Sequence, residues 1–378
     1  MIQTKVEKKE NQILVGNFNG DRRVSGGSIG FVQAHLNGAV LPALTIGGVG
    51  TDPEYRRMGL VHTIFTEVEK AAYQYGCPLS FLHPFSFSYY RKKGYERVGD
   101  HRVLEFPMSA LDFVPRFSDL TLCDDTAKAK DALRVYEQFA ADRNIMFVRS
   151  APGFYLNPKD RKTYLLYADS GSPIGYVTCG IENYYSVNRM VSVNLHVYEL
   201  CYTDKAGLLK LLGFLRMYEG ELSTVKIHNC AMAPEVERTL RHYMHTDITI
   251  LPDLMARVHD VEAILRAVRY PDAPGQFTIK VTEPEHTGHG KELTEGIWKV
   301  CYDKGRGTVR RLEDTESQCE AAAYDIACDI PAFTQLIFGY ESYGADCARY
   351  MDNVELKNDC ADFFRAFPNR PCGLYEHF

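Results

Sequence analysis

The chain reads as an α/β (α+β) protein built from three consecutive regions, and three observations carry that reading. Apolar runs of β-type composition alternate with segments whose apolar residues recur near a 3.6 period. The order strand, glycine-containing turn, helix occurs twice, at 41–72 and at 193–217. After a break at Tyr270-Pro271-Asp272-Ala273-Pro274-Gly275, short strands lead to one strongly apolar helix. A length of 378 residues calls for two or three domains. The expected divisions are 1–120, 121–257 and 258–378.

In the first region Ile13–Phe18 and Ile29–His35 are expected strands, joined by a glycine-rich turn that runs from Asn19 to Gly27. Leu41–Val49 is a third β-type run. It leads into Gly50-Thr51-Asp52-Pro53-Glu54-Tyr55-Arg56-Arg57-Met58-Gly59 and then a helix with apolar residues at Val61, Ile64, Phe65, Val68 and Ala72. A strand at Cys77–Phe85, a helix around Tyr90 and a strand at Arg102–Pro107 complete the region. In the second, a helix at Ala129–Asp142 precedes strands at Thr163–Ala168, Ile174–Ile181 and Val193–Cys201 and a helix at Lys205–Met217. Its turn keeps a glycine, Gly207, and lacks the arginine pair. In the third, a helix at Asp260–Val268 is followed by strands at Phe277–Val281, Gly296–Tyr302 and Gly307–Leu312 and a helix at Asp329–Tyr340.

The most informative stretch is the turn around Arg56-Arg57-Met58-Gly59. A helix start leaves backbone N–H groups unpaired and carries partial positive charge, which makes it an anion site. Gly59 removes a side chain where a pyrophosphate approaches the backbone. Two arginines add charge-assisted hydrogen bonds. Strand, basic glycine turn and helix form the context that a phosphate-bearing ligand requires.

Arg56-x-x-Gly59-x-Val61 resembles the acetyl-CoA signature of the GCN5-related N-acetyltransferases (GNAT), with Val in the last place. Leu82-His83-Pro84-Phe85 followed by Tyr90-Arg91-Lys92-Lys93-Gly94 is similar to the later strand and Tyr-x-x-x-Gly segment of that fold. The longer pattern resembles the Eis-type (enhanced intracellular survival) bacterial acetyltransferases, and the likeness covers nearly the whole chain. It implies tandem GNAT folds, the N-terminal one active and the central one degenerate and without cofactor, followed by a C-terminal sterol-carrier-like α+β domain. It also implies acetyl-CoA as cosubstrate and an assembly of several copies, a hexamer.

The same resemblance assigns roles. Backbone groups of Val49 and Thr51 would meet the pantetheine arm, and Arg56, Arg57, Met58, Gly59 and Leu60 the pyrophosphate. Tyr90, at the start of its Tyr-x-x-x-Gly segment, would protonate the leaving thiolate; a phenol with a reference pKa of about 10 is protonated at neutral pH. Tyr89 is adjacent and is the competing candidate. The carboxylate of Phe378, at the end of Tyr375-Glu376-His377-Phe378, would be the base, with Glu376 and His377 as acceptor-pocket groups. The Eis fold carries a strand and two helices before the region that begins here at Ile13. The sequence has about a dozen residues in their place, so either it begins late or the acceptor wall is open.

Composition excludes other classes. Charged residues make up 24% and the net charge is −6, with no basic block, which argues against a nucleic-acid partner. No apolar run reaches the length of a membrane span. Positions 1–10 are polar and lack a signal-peptide core. Eleven cysteines, with no Cys-x-x-Cys pair, read as reduced thiols of a cytoplasmic protein. No histidine stands at metal-ligand spacing, and no metal is expected. Two functions are weighed. One is N-acetyl transfer from acetyl-CoA to a small-molecule cationic amine, aminoglycoside-like or lysine-like. The other is an acyl-CoA-binding scaffold of the same fold without turnover.

Overall fold

The computed structural model describes residues 2–156, 160–186, 189–240, 244–283, 290–312, 324–340, 345–357 and 360–378. The chain forms two compact units, one of Met1–Gly99, Asp253–Cys372 and Glu376–Phe378, the other of Asp100–Pro252 and Gly373–Tyr375.

In the first unit, strands β1 (Ile2–Lys9), β2 (Gln12–Asn19), β3 (Arg22–Leu36) and β4 (Ala39–Thr51) form an antiparallel meander. Two expectations change here. The polar N-terminal stretch is a strand, because pairing with β2 satisfies its backbone while its side chains stay in water. The expected long glycine turn shrinks to Gly20-Asp21, and Ser25–Gly27 lie inside β3 opposite Gly47–Thr51. The β3–β4 hairpin turns at Asn37-Gly38, both in the left-handed region. Asn37 is buried, and its side-chain amide donates to Ala366 O at 2.7 Å, tying the hairpin to the C-terminal part of the unit.

Helix α1 (Leu60–Tyr75) buries Ile64, Phe65, Val68, Ala71 and Ala72 against this sheet, the face that the 3.6 period marks. Gly76, at φ 60°, ends it. Strand β5 (Leu79–Leu82) returns parallel to β4 and pairs on its other side with Met255–Val258 of the strand Asp247–Val258. The short helix α2 (Phe87–Arg91) follows. Residues beyond Asp260 add a five-stranded sheet in the order Arg306–Arg311, Gly296–Asp303, Gly275–Thr282, Ile326–Asp329, Val354–Leu356. The apolar helix Ile330–Phe338 belongs to this part of the unit and is capped by Asp329 and ended by Gly339.

The second unit holds strands in the order Glu96–Pro107 (from Asp100 on), Thr224–Ile227, Arg189–Tyr202, Pro173–Ser186, Lys162–Tyr167, Thr121–Leu122. Helices Thr126–Ala140 and Lys205–Leu215 bury Val135, Tyr136, Phe139, Leu208, Leu211 and Leu212 against it. A buried ion pair crosses the core: Arg149 donates to both carboxylate oxygens of Glu199 at 3.0 and 2.9 Å, and Tyr176 Oη donates to the same carboxylate at 2.6 Å.

Candidate active site

Strands β4 and β5 pair only from Ala43↔Leu79 to Ile46↔Leu82. Beyond Ile46, β4 stays bonded to β3 and parts from β5, so the edge from Val49 to Thr51 lines a cleft. A bulge sharpens the departure. Gly26↔Gly50 and Ser28↔Gly47 leave one extra residue on β4, accommodated by Gly48 at φ 60°.

The far side of the cleft is the start of α1. Its N-cap is Gly59 at φ 75°, no side chain caps the first turn, and no acidic residue lies in it. The leading amides of the helix therefore carry no carboxylate cap from among the described residues. Asp52 and Glu54 are turned to Arg22, 2.5 and 2.8 Å from its guanidinium. Arg57 is held in the left-handed region, at φ 64°. The cavity so formed has a volume of about 590 Å3. Six of the seven expected cofactor residues line it: Val49, Thr51, Arg56, Arg57, Gly59 and Leu60; Met58 does not and is exposed. An uncapped helix start, two arginines and an unpaired strand edge suit a ligand with a phosphate at one end and amide groups along its length.

The second unit has the same order of elements and a different end. Asp204 caps the helix Lys205–Leu215, and its carboxylate accepts from Gly207 N at 2.7 Å. Its own anion occupies the place a phosphate would take. The match between Gly207 and Gly59 is also corrected: Gly59 is an N-cap with positive φ, whereas Gly207 sits three residues inside its helix.

Phe85 and Tyr89 complete the wall of the first cleft. The Tyr-x-x-x-Gly spacing is a turn closure. Tyr95 N donates to Tyr90 O at 3.2 Å and Gly94 N to Arg91 O at 3.0 Å, with Gly94 at φ 77°. A Cβ on Gly94 would stand 3.2 Å from the Arg257 guanidinium. The two tyrosines differ. Tyr89 lines the cleft, while Tyr90 is 2% exposed and packs among Phe65, Phe85, Tyr89 and Tyr95. Burial, and next to it the neighbouring Tyr89, pushes the Tyr90 phenol well above its usual range, so it stays protonated at any physiological pH.

The chain end reaches this strand. Phe378 lies against Gly47, where a Cβ would stand 3.0 Å from its carboxyl carbon. Cys372 and Leu374 are buried, as the apolar tail predicts, and His377 is exposed. Sequence reasoning quotes His83 within Leu82-His83-Pro84-Phe85 and gives it no site role, finding no metal spacing for it. It follows β5, its Nδ1 is 3.1 Å from Asp253 Oδ1, and its ring lies 5.1 Å from that of His377 and 4.7 Å from that of Phe378. His83, Asp253 and His377 bring one titratable atom each within 4.8 Å of one another. Linear spacing hides this group because its members are 170 and 124 residues apart.

Residues 1–98 match the family model described as an acetyltransferase (GNAT) domain. Similar solved structures include a probable N-acyltransferase from Enterococcus faecalis, at 21% identity and TM-score 0.77, over 97% of this chain and 90% of that one. A GCN5-related N-acetyltransferase from Anabaena variabilis has 16% identity and TM-score 0.77, over 97% and 89%. Eis1 from Mycobacterium abscessus has 14% identity and TM-score 0.73, over 98% and 92%. These likenesses establish the fold. No curated protein matches the sequence. Among the described residues no helix is long and apolar enough to cross a membrane.

Proposed function

We propose that the chain is an acetyl-CoA-dependent N-acetyltransferase acting on a cationic amine, aminoglycoside-like or lysine-like. The observation that carries this reading is the cleft between the unpaired β4 edge and the uncapped start of α1, within the residues that match an acetyltransferase domain. Main-chain groups of Val49 and Thr51 would hold the pantetheine arm, and the amides of Met58, Gly59 and Leu60 with Arg56 and Arg57 the pyrophosphate. Tyr90 is the acid that protonates the departing sulfur, chosen over Tyr89 on the register of the Tyr-x-x-x-Gly segment. The Phe378 carboxylate faces the cationic acceptor and takes up its proton, with Glu376 and His377 in the acceptor pocket.

The reading extends to the rest of the chain. Residues 121–257 are a cofactor-free copy of the fold, supported by the self-capped helix at Asp204. Residues 258–378 form a sterol-carrier-like domain, and the working state is a cytoplasmic homo-oligomer, a hexamer on family resemblance. A second reading, an acyl-CoA-binding scaffold without turnover, is favoured by one observation, the near-complete burial of Tyr90.

Thiol release from acetyl-CoA with a panel of amines separates the two. Amine-dependent release, lowered at least tenfold in kcat by Tyr90→Phe and by deletion of Phe378, is expected. Tyr89→Phe is expected to act on the KM for acetyl-CoA instead. Folded protein that binds acetyl-CoA and releases no thiol with any amine sinks the enzyme reading. A Tyr89→Phe enzyme with the larger kcat loss reverses the tyrosine assignment.

A further inference from the structure

We propose that His83, oriented by Asp253, is the group on which the acceptor's proton finally rests, so that the acid–base machinery is a His–Asp pair working beside the Phe378 carboxylate. This deepens the acetyltransferase reading and rests on it.

Three features of the imidazole point this way. Its Nδ1 is 3.1 Å from Asp253 Oδ1 and 3.2 Å from Asp253 O. Both are acceptors, so the hydrogen belongs on Nδ1 and Nε2 carries the lone pair. Nε2 is buried and has no hydrogen-bond partner among the described residues. A buried, unsatisfied ring nitrogen is costly. It is also what a general base looks like before its substrate arrives, with a carboxylate fixing the tautomer from behind. Finally, the ring sits where β4 and β5 part, at the residue after the last β5 pairing, with its centroid 4.7 Å from that of Phe378.

Chemistry supplies the need. An alkyl ammonium has a reference pKa near 10.4, a terminal carboxyl one near 3.5 and an imidazole one near 6.5. By reference basicity an imidazole is a stronger proton acceptor than a terminal carboxylate. The carboxylate suits the work of an anchor for the cationic acceptor; the imidazole suits that of a base. Among the described residues, the titratable side chains recorded against the ring are Asp253 on the strand Asp247–Val258 and His377 on the tail, and the phenyl ring of Phe378 packs on it.

The step balances. The bound ammonium, once seated against His83, gives one proton to its Nε2. The freed amine lone pair attacks the thioester carbonyl and the C–S bond breaks. Sulfur takes the Tyr90 proton, and the second N–H proton released on collapse restores Tyr90. His83 then discharges to solvent, which accounts for the one net proton of the reaction.

The test is a pH series of kcat for wild type, His83→Gln and Asp253→Asn, with an alkyl amine acceptor, alongside acetyl-CoA binding and thermal unfolding of each. At pH 7 the expected losses are at least 30-fold for His83→Gln and about tenfold for Asp253→Asn. Acetyl-CoA affinity should hold within a factor of two. Both losses should shrink steadily toward pH 10, where the amine arrives neutral and needs no base. A purely structural role gives a loss that does not change with pH, and that result, or no loss at all, overturns the proposal. If His83→Gln does not fold, Asp253→Asn carries the same comparison. A folded wild type without amine-dependent thiol release overturns the acetyltransferase reading itself, and this inference with it. An active wild type with a pH-independent variant overturns only the inference.

Discussion

Replacing Gly47 by alanine isolates the contact between the tail and β4. An ideal Cβ at this position lies 3.0 Å from the Phe378 carboxyl carbon, 3.3 Å from its oxygen and 3.4 Å from Ser28 Oγ. Non-bonded carbons settle at about 3.5–4.0 Å, so the tail must retreat by roughly 0.5–1 Å. A misplacement of about 1 Å in a reacting group costs on the order of 100-fold in rate. Gly47 is not among the glycines with positive φ, so its backbone accepts alanine. The smaller entropy of the unfolded chain then returns about 0.4–1 kcal/mol, against a loss of similar size from the displaced tail. Gly47→Ala should therefore lower kcat/KM by about 10–100-fold while global stability moves by less than ~1 kcal/mol. Thiol release and urea unfolding measure the two quantities. Full activity in this variant, or an activity loss that merely tracks unfolding, refutes the placement of the Phe378 carboxyl at the reacting centre. Gly48→Ala is the control: nothing lies within 4 Å of its Cβ, but φ is 60°, so its penalty of about 1–2 kcal/mol falls on stability.

Arg57→Gly should raise stability by about 1 kcal/mol, since it relieves a left-handed arginine, and raise the KM for acetyl-CoA about tenfold through the lost cation; an unchanged or lowered KM would contradict the phosphate role. Glu199→Ala leaves the Arg149 guanidinium buried without its bidentate partner and should cost about 3–5 kcal/mol in urea unfolding. The His228 imidazole, held down to about 4 by burial and then by the nearby His196 and His101, makes stability pH-dependent. The unfolded chain takes up that proton near pH 6.5 and the folded chain only near 4, so stability falls as pH drops through this window. Discounted for the partial exposure of the ring, the fall is about 1–2 kcal/mol, and His228→Gln should flatten it in unfolding curves taken from pH 7 to 4.

Much of this architecture can be read along the chain, because local rules decide it. The 3.6-period face of α1, the β-type run of β4 and the glycine N-cap of the cleft depend on residues within one or two turns of each other. The apolar tail also declares its own burial, through Cys372 and Leu374. A polar strand such as Ile2–Lys9 gives no such signal, since the ladder that holds it is made with the backbone of another strand. Strand pairing also separates Ser25–Gly27 from turn-forming glycines of the same composition: these residues face β4, and their ladder hydrogen bonds exist only once β4 is in place.

Long-range assembly decides the remainder. Whether Gly207 is a second Gly59 turns on helix register, and three residues separate an open anion site from one closed by Asp204. Whether Tyr89 or Tyr90 meets the cleft depends on which side of a five-residue helix packs on Phe65 and Tyr95. His83 acquires a purpose only when Asp253 and the tail arrive from 170 and nearly 300 residues away. A linear pattern records the chemistry each residue type can offer. Direction, burial and partners, which turn that chemistry into an acid, a base or an anchor, come from the packing of distant segments.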